Sequence, residues 1–326
     1  MSQQHSDAAQ PQLLSAVFSM RNEEGVLDEL IARMRAALDP VENLDYELIF
    51  VNDDSTDRSL EILTAYAAED KRIKVINTSR RFGVIQGNLA GFRHAKGDAI
   101  VYLDADLQDP PELIPTLIEK WREGAEVVHT TRTHRHGENP VKMAITRGAY
   151  RVINFFSEIE IPMDTGNFKL ISRRAMDELL KIKEQEPFLR GLVCWVGFKQ
   201  EFVYYERQAR YAGVTHFALL RSFNPTRSFV SGVIAFSTIP LYFALLLGML
   251  VSSGSFAYLL YIIVTRLTGM HQPGWSAIMV TMLFLGGVIL FTIGVLGVYI
   301  AQIYANVQGR PQYIIDNKIN LDEDES

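Results

Sequence analysis

Cysteine is almost missing from this chain of 326 residues: there is one, Cys194, inside the apolar run LVCWV at 192–196. A lone cysteine forms no internal disulfide, so the fold must rest on a hydrophobic core, which a chain of this length can bury. Its apolar surroundings mark it as packing rather than as a nucleophile, and a reducing compartment suits it. Excess positive charge is missing too. The net charge of -6 excludes a general nucleic-acid binder, which needs a basic face to displace counterions from phosphates. Residues 1–12 have no apolar core behind a basic start; they read as a disordered tail, neither signal peptide nor anchor.

Charge itself runs out after about residue 227. The stretches 236–264 and 275–304 contain no charged residue, and each exceeds the roughly 20 residues that cross a bilayer. Their length and the lack of any polar face exclude two buried helices of a soluble core. Gly286, Gly287, Gly294 and Gly297 in the second run permit close helix contact in lipid, either within one hairpin or through self-association. The connection 265–274 holds only Arg266. Arg207, Arg210, Arg221 and Arg227 precede the spans, and Arg310 and Lys318 follow them. The positive-inside rule then puts both termini and the polar half in the cytoplasm. Between the halves, Phe217, Leu219, Leu220, Phe223, Phe229 and Val230 mix with arginines in a pattern suited to helices at the headgroup level, broken at Asn224-Pro225. The expected organisation is a tail (1–12), an α/β domain (13–216), interfacial amphipathic helices (217–235), a transmembrane hairpin (236–305) and a cytoplasmic C-terminal tail (306–326).

Within the polar half, apolar runs at 14–18, 46–51, 73–77 and 99–103 alternate with helical patterns at 24–38, 58–68 and 86–95. Such alternation predicts a parallel sheet with helices on both faces, whose ligands lie at the carboxyl ends of the strands. The polar clusters fall there: Arg21-Asn22-Glu23-Glu24, Asn52-Asp53-Asp54-Ser55 and Asp104-Ala105-Asp106. Asp104 and Asp106, one residue apart at the end of a buried strand, would repel each other and lose hydration, so the pair needs a cation. Magnesium or manganese suits carboxylates, with the Gln108 amide alongside, and leaves positions open for a diphosphate. Asp53 is placed to accept hydrogen bonds from a base or ribose, as acidic residues do at other strand tips, and Glu23 has a similar position. Helix initiation accounts for part of both runs, with Ser55 or Asp57 as the start signal.

The sequences NEE at 22–24, NDDSTD at 52–57, GDAIVYLDADLQDPPELIP at 97–115 and RPQYII at 310–315 together resemble the family 2 glycosyltransferases. Within them the chain is most similar to the polyprenyl-phosphate glycosyltransferases, a group that includes bactoprenol glucosyltransferases, aminoarabinose transferases and dolichol-phosphate mannose synthases. The resemblance implies a GT-A, Rossmann-like fold and transfer of one sugar from a nucleotide diphosphate sugar to polyprenyl phosphate at the inner membrane of a bacterium, with uridine as the base. It implies nucleoside contacts from Glu23, Asp53, Asp54 and Asp104, and metal ligation by Asp104, Asp106 and Gln108. Arg132 matches an arginine near the acceptor phosphate, with Lys142 and Arg147 as looser candidates; an arginine fork holds two phosphate oxygens at once. His134, Arg135 and His136 read as a solvated basic loop.

Three departures stand out. A family proline is Ser19 here, and an aromatic near the base is Arg21. The segment R-x-x-G-x-S-K reads Arg210 to His216, keeping Arg210 and the Thr215 hydroxyl but exchanging lysine for His216, which makes pyrophosphate neutralisation there pH-dependent. At Gly166-Asn167-Phe168-Lys169, asparagine replaces an aspartate proposed elsewhere as a general base. A lipid phosphate is already largely ionised near neutral pH, so Asn167 is read as an acceptor-site residue and Lys169 as a phosphate contact beside it. A processive synthase is disfavoured because Q-x-x-R-W is absent. A non-catalytic membrane subunit is disfavoured because Glu23, Asp104 and Asp106 are intact.

Overall fold

The computed structural model describes residues 11–133, 162, 165–185, 187–206, 239–268 and 274–321. Strands β1 (Gln12–Met20), β2 (Leu44–Asn52), β3 (Ile73–Thr78) and β4 (Ala99–Tyr102) alternate with helices α1 (Leu27–Leu38), α2 (Ser59–Glu69) and α3 (Val84–His94). A single 3-10 turn, Pro111–Leu113, leads into α4 (Ile114–Arg122). Then come β5 (Val127–Arg132), β6 (Thr165–Ser172), α5 (Arg173–Leu180), α6 (Leu189–Trp195) and β7 (Gln200–Tyr205). Two long helices, α7 (Ile239–Leu267) and α8 (Trp275–Val307), precede a last strand, β8 (Ile315–Ile319).

The eight strands form one sheet in the order β7-β5-β6-β4-β1-β2-β3-β8. Strands β4, β1, β2 and β3 run parallel, as expected. Beyond these four strands, whose direction alone was expected, the sheet is mixed: β6 runs antiparallel between β4 and β5, and β8 runs antiparallel on β3. Strands read as continuous apolar runs because both faces are covered. One face packs against α1, α2 and α4 through residues such as Leu30, Met34, Leu63 and Leu117. The other packs against α3, α5 and α6 through Leu89, Phe92, Met176 and Leu192. Burying each large aliphatic or Phe side chain is worth roughly 1.5–3 kcal/mol, and Phe18 stacks on Phe50 at 4.8 Å in the middle of the first layer.

Helix α3 lies unusually close to β1. A Cβ added at Gly87 would lie 2.2 Å from Ser19 Oγ, and one at Gly91 would lie 2.2 Å from Val17 Cγ1. The i, i+4 glycines thus line the contact face. This also accounts for Ser19, a small residue in the space beneath Gly87.

Two boundaries differ from the sequence expectation. Gln12 already belongs to β1. The C-terminal segment is not a free tail: after α8 the chain returns to the α/β domain and β8 completes the sheet edge. The spans correspond to α7 and α8, with apolar stretches Ile239–Thr265 and Ile278–Val307 long enough to cross a membrane. Leu250 and Leu290 are each 72% exposed, so these helices are no soluble core; their apolar surfaces call for lipid. A methyl added to Gly286, Gly287, Gly294 or Gly297 would meet nothing within 4 Å, so close α7–α8 packing does not use them. The interfacial helices at 217–235 lie outside the described residues.

Candidate active site

The chain leaves β1 towards β2 and β3, then crosses back to place β4 on the other side of β1. This reversal opens a crevice at the carboxyl ends of β1 and β4, the usual ligand position in such sheets. Glu23, Asp53 and Asp54 at the tips of β1 and β2 face the same end as the 104–109 loop after β4.

The tips of β1 and β2 are laced together. Asn22 N–H donates to Ser55 Oγ at 3.0 Å, Thr56 N–H to Asn22 Oδ1 at 2.8 Å, and Glu23 N–H to Ser59 Oγ at 2.9 Å. Asp57 accepts from the N–H groups of Glu24 and Ser59 at 3.1 Å each. Burial acts against its charge, but the Ser59 and Glu24 donors prevail and hold its carboxyl below the ordinary range. Asp57 thus ties the loop after β1 to the entrance of α2, one residue before the helix N-cap at Arg58, which has no side-chain cap. Asp53 is buried, and its carboxylate accepts from Phe82 N–H at 2.6 Å and Gly83 N–H at 2.9 Å. It organises the loop into α3, a role not foreseen from the sequence. Asp54 is exposed in the left-handed region at φ 55°.

The 104–109 loop also contains a left-handed residue, buried Leu107 at φ 57°, a costly conformation for a branched side chain. The turn lets Gln108 N–H donate to Asp106 Oδ1 at 3.2 Å. Asp104 is half-buried; burial, then Asp109 and Asp106, push its carboxyl above the usual range, opposed by Asn167 and Arg190. Asn167 Nδ2 donates to Asp104 Oδ1 at 3.3 Å, while Arg190 Nε donates to Asn167 Oδ1 at 3.2 Å. On the other flank, Arg132 Nη2 pairs with Asp109 at 3.3 Å and Arg132 Nε donates to the Tyr205 hydroxyl oxygen at 3.1 Å. Tyr205 in turn donates to Asp109. Burial, then Asp109, push the Tyr205 phenol up to about 12.

The structure thus brings Asp104, Asp106, Gln108, Arg132 and Asn167 into one neighbourhood. Asp109, Arg190 and Tyr205 belong there as well and were missed. Two signals were available: a third carboxylate three residues beyond Asp106, and one arginine in the otherwise uncharged helix LRGLVCW. The donor chemistry fits a divalent cation. Two neighbouring carboxylates raise each other's need for positive charge, and carboxylate oxygens are the ligands that such a cation prefers.

Lys169 is corrected. It is wholly buried on β6, opposite Tyr102 and His129 in register, and its Nζ has no hydrogen-bond partner. Burial, then Arg190, lower the amine to about 8, and burial, then Lys169, drop His129 to about 3. An enclosed ammonium does not reach a phosphate at the crevice. Lys142, Arg147, Arg210, Thr215 and His216 lie outside the described residues.

The carboxylate pair thus lies at the switch point of a doubly wound sheet, in a chain that also carries two helices long and apolar enough to cross a membrane. Residues 15–180 match the Glycosyl transferase family 2 profile. An uncharacterized glycosyltransferase of Bacillus subtilis, YkcC, is 42% identical over 309 residues, covering 94% of each chain. The bactoprenol glucosyl transferase of Shigella phage SfII is 36% identical over 303 residues, covering 93% of this chain and 97% of its own. Among solved structures, mannosyl-3-phosphoglycerate synthase from Rubrobacter xylanophilus aligns over 68% of this chain and 72% of its own, with 19% identity and a TM-score of 0.49. The chain belongs to glycosyltransferase family 2, with a GT-A-like mixed α/β sheet, and is a glycosyltransferase.

Proposed function

We propose that this enzyme transfers a single sugar from a nucleotide diphosphate sugar, a UDP-hexose, to polyprenyl phosphate at the cytoplasmic face of the membrane, with inversion at the anomeric carbon. The observation that carries this reading is the union, in one chain, of the Asp104–Asp106 crevice with two lipid-requiring helices. It is supported by relatives named bactoprenol glucosyl transferase whose similarity extends through both parts.

Glu23, Asp53 and Asp54 border the nucleoside side of the crevice. Asp104, Asp106 and Gln108 would hold Mg2+ or Mn2+, which when bound neutralises charge on the departing diphosphate. Arg132 faces the acceptor side, where its fork suits a phosphate. Asn167 takes no proton; it orients by hydrogen bonding, which suffices for a phosphate nucleophile that is already charged and needs placement and charge compensation. Lys142, Arg147, Arg210, Thr215 and His216 are assigned to the acceptor and pyrophosphate on the motif alone.

The test is direct: purified full-length protein in detergent, Mn2+, polyprenyl phosphate and a panel of radiolabelled sugar nucleotides. A lipid-extractable product is expected with a UDP-hexose and should be lost in Asp106→Asn. Absence of product with every donor sinks the reading.

A further inference from the structure

Asp109 is fully buried, and its carboxylate accepts from Arg132 Nη2 at 3.3 and 3.4 Å and from the Tyr205 hydroxyl. Arg132 closes the triangle by donating from Nε to the Tyr205 oxygen. The three corners come from different elements: Asp109 from the loop after β4, Arg132 from the end of β5, and Tyr205 from the end of β7. The parallel register Arg132↔Tyr205 sets two of them side by side. Phe168 packs edge-on against the Tyr205 ring at 6.3 Å and 83°. Beneath the guanidinium lies Gly166, where an added Cβ would fall 2.8 Å from Arg132 Nη2.

A buried ion pair contributes little net stability, because desolvation offsets its attraction. What this arrangement does supply is orientation. Arginine is a long, rotamer-rich side chain, and a ligand that met it unrestrained would have to order it on binding. Here Nε and Nη2 are committed, the phenol is wedged by Phe168, and Gly166 leaves room for one guanidinium plane. Asp109 is also one residue from Gln108 and three from Asp106, so the same contact joins Arg132 to the loop that carries the carboxylate pair.

We infer that Asp109 and Tyr205 are positioning residues that, across Gly166, hold the Arg132 guanidinium towards the acceptor phosphate and in register with the 104–109 loop. This rests on the acceptor proposed above. Burial opposes the Arg132 charge, but Asp109 and Tyr205 outweigh it and raise its pKa; the guanidinium is a cation in any case, so what the clamp supplies is its orientation.

The experiment is a mutant cycle on the full chain with polyprenyl phosphate as acceptor. Tyr205→Phe removes one hydroxyl, and a hydrogen bond to a charged group is worth enough to raise the acceptor KM roughly tenfold. The donor KM should stay within about twofold, the usual margin for uncoupled sites. In an Arg132→Ala background the same Tyr205→Phe change should move the acceptor KM by less than about twofold, because its target is gone; a merely structural tyrosine would act equally in both backgrounds. Gly166→Ala, which presses on the guanidinium from below with Asp109 and Tyr205 intact, should raise the acceptor KM in the same way. An unchanged acceptor KM in Tyr205→Phe, or an equal effect in both backgrounds, overturns the clamp while the transfer reading stands. A wild-type enzyme that never uses the lipid phosphate overturns both.

Discussion

Asn167 donates to Asp104 with one end of its amide and accepts from Arg190 with the other, and only a neutral amide satisfies both neighbours. An aspartate there would keep Arg190 but bring a carboxylate against Asp104. Like charges 4 Å apart at a partly solvated dielectric repel by up to about 4 kcal/mol, of which Arg190 cancels part. Asn167→Asp is therefore expected to lower the melting temperature of the metal-free protein by several degrees and to enlarge the upward shift that Mn2+ produces. Equal melting temperatures with and without Mn2+ for both proteins would contradict this. Lys169 makes the complementary case of a charge with no partner. Its folded pKa, about 8, lies below the ordinary 10.5. The unfolded chain therefore binds the proton more readily between those values, and stability from this group rises as pH increases from 8 to 10.5. Below pH 8 the burial penalty is fully present. Lys169→Met is expected to stabilise the protein at pH 7 by up to roughly 3 kcal/mol, with the advantage shrinking as pH is raised to 9.5. Urea titrations at the two pH values check both sign and trend.

At the scale of elements, the contact of α3 with β1 carries the sharpest packing constraint. Alanine normally gains up to about 1 kcal/mol over glycine inside a helix. Gly91→Ala is expected to reverse that sign and cost roughly 1–3 kcal/mol, because its methyl would meet the stiff, β-branched Val17. Gly87→Ala should cost less, since Ser19 Oγ can rotate away. Thermal melts of the two variants, ranked against each other, decide it. The same region shows what was legible in the sequence. The period change from apolar runs to helical patterns located β1 to β4 and α1 to α3 within a few residues, because each buries a continuous apolar face. The antiparallel β6 was not legible: its direction depends on how the chain returns after β5, and nothing in TGNFKLIS records direction. Strand β8, IDNKI, has too few apolar residues to read as a strand and exists by completing the edge of β3. In the candidate site, the proximity of Asp104, Asp106 and Gln108 was legible because they lie in one short segment of the sequence. Arg190 and Tyr205 were not, because only the β5–β7 register and the seat of α6 bring them to the crevice.

For the molecule as a whole, the return of the chain after α8 matters more than its brevity suggests. Asn306 Oδ1, in the last turn of α8, accepts from Gln185 N–H at 3.0 Å. Arg93 donates to Gln312 at 2.7 Å and covers the Tyr313 ring at 5.4 Å, and Ser79 N–H donates to Ile314 O at 3.0 Å. Asn320 Nδ2 then reaches the carbonyls of Ala67 and Ile73 at 2.6 and 2.9 Å. The α/β domain is therefore fastened to the apolar hairpin through α8 and the strand that follows it. That second attachment limits how the crevice can tilt relative to α8, and it covers the β3 edge, which would otherwise be open to pairing with other chains. Asn320→Ala removes these two hydrogen bonds and a third, which Lys71 Nζ donates to Asn320 Oδ1 at 2.9 Å, of about 0.5–1.5 kcal/mol each. At 2–4 °C per kcal/mol for a domain of this size, it should lower the melting temperature by roughly 3–18 °C. Deleting 309–326 should lower it further and reduce sugar transfer, although every site residue named here remains in the chain. If the truncated protein melts and turns over like the full chain, the return strand is not a fastening and the hairpin alone orients the domain.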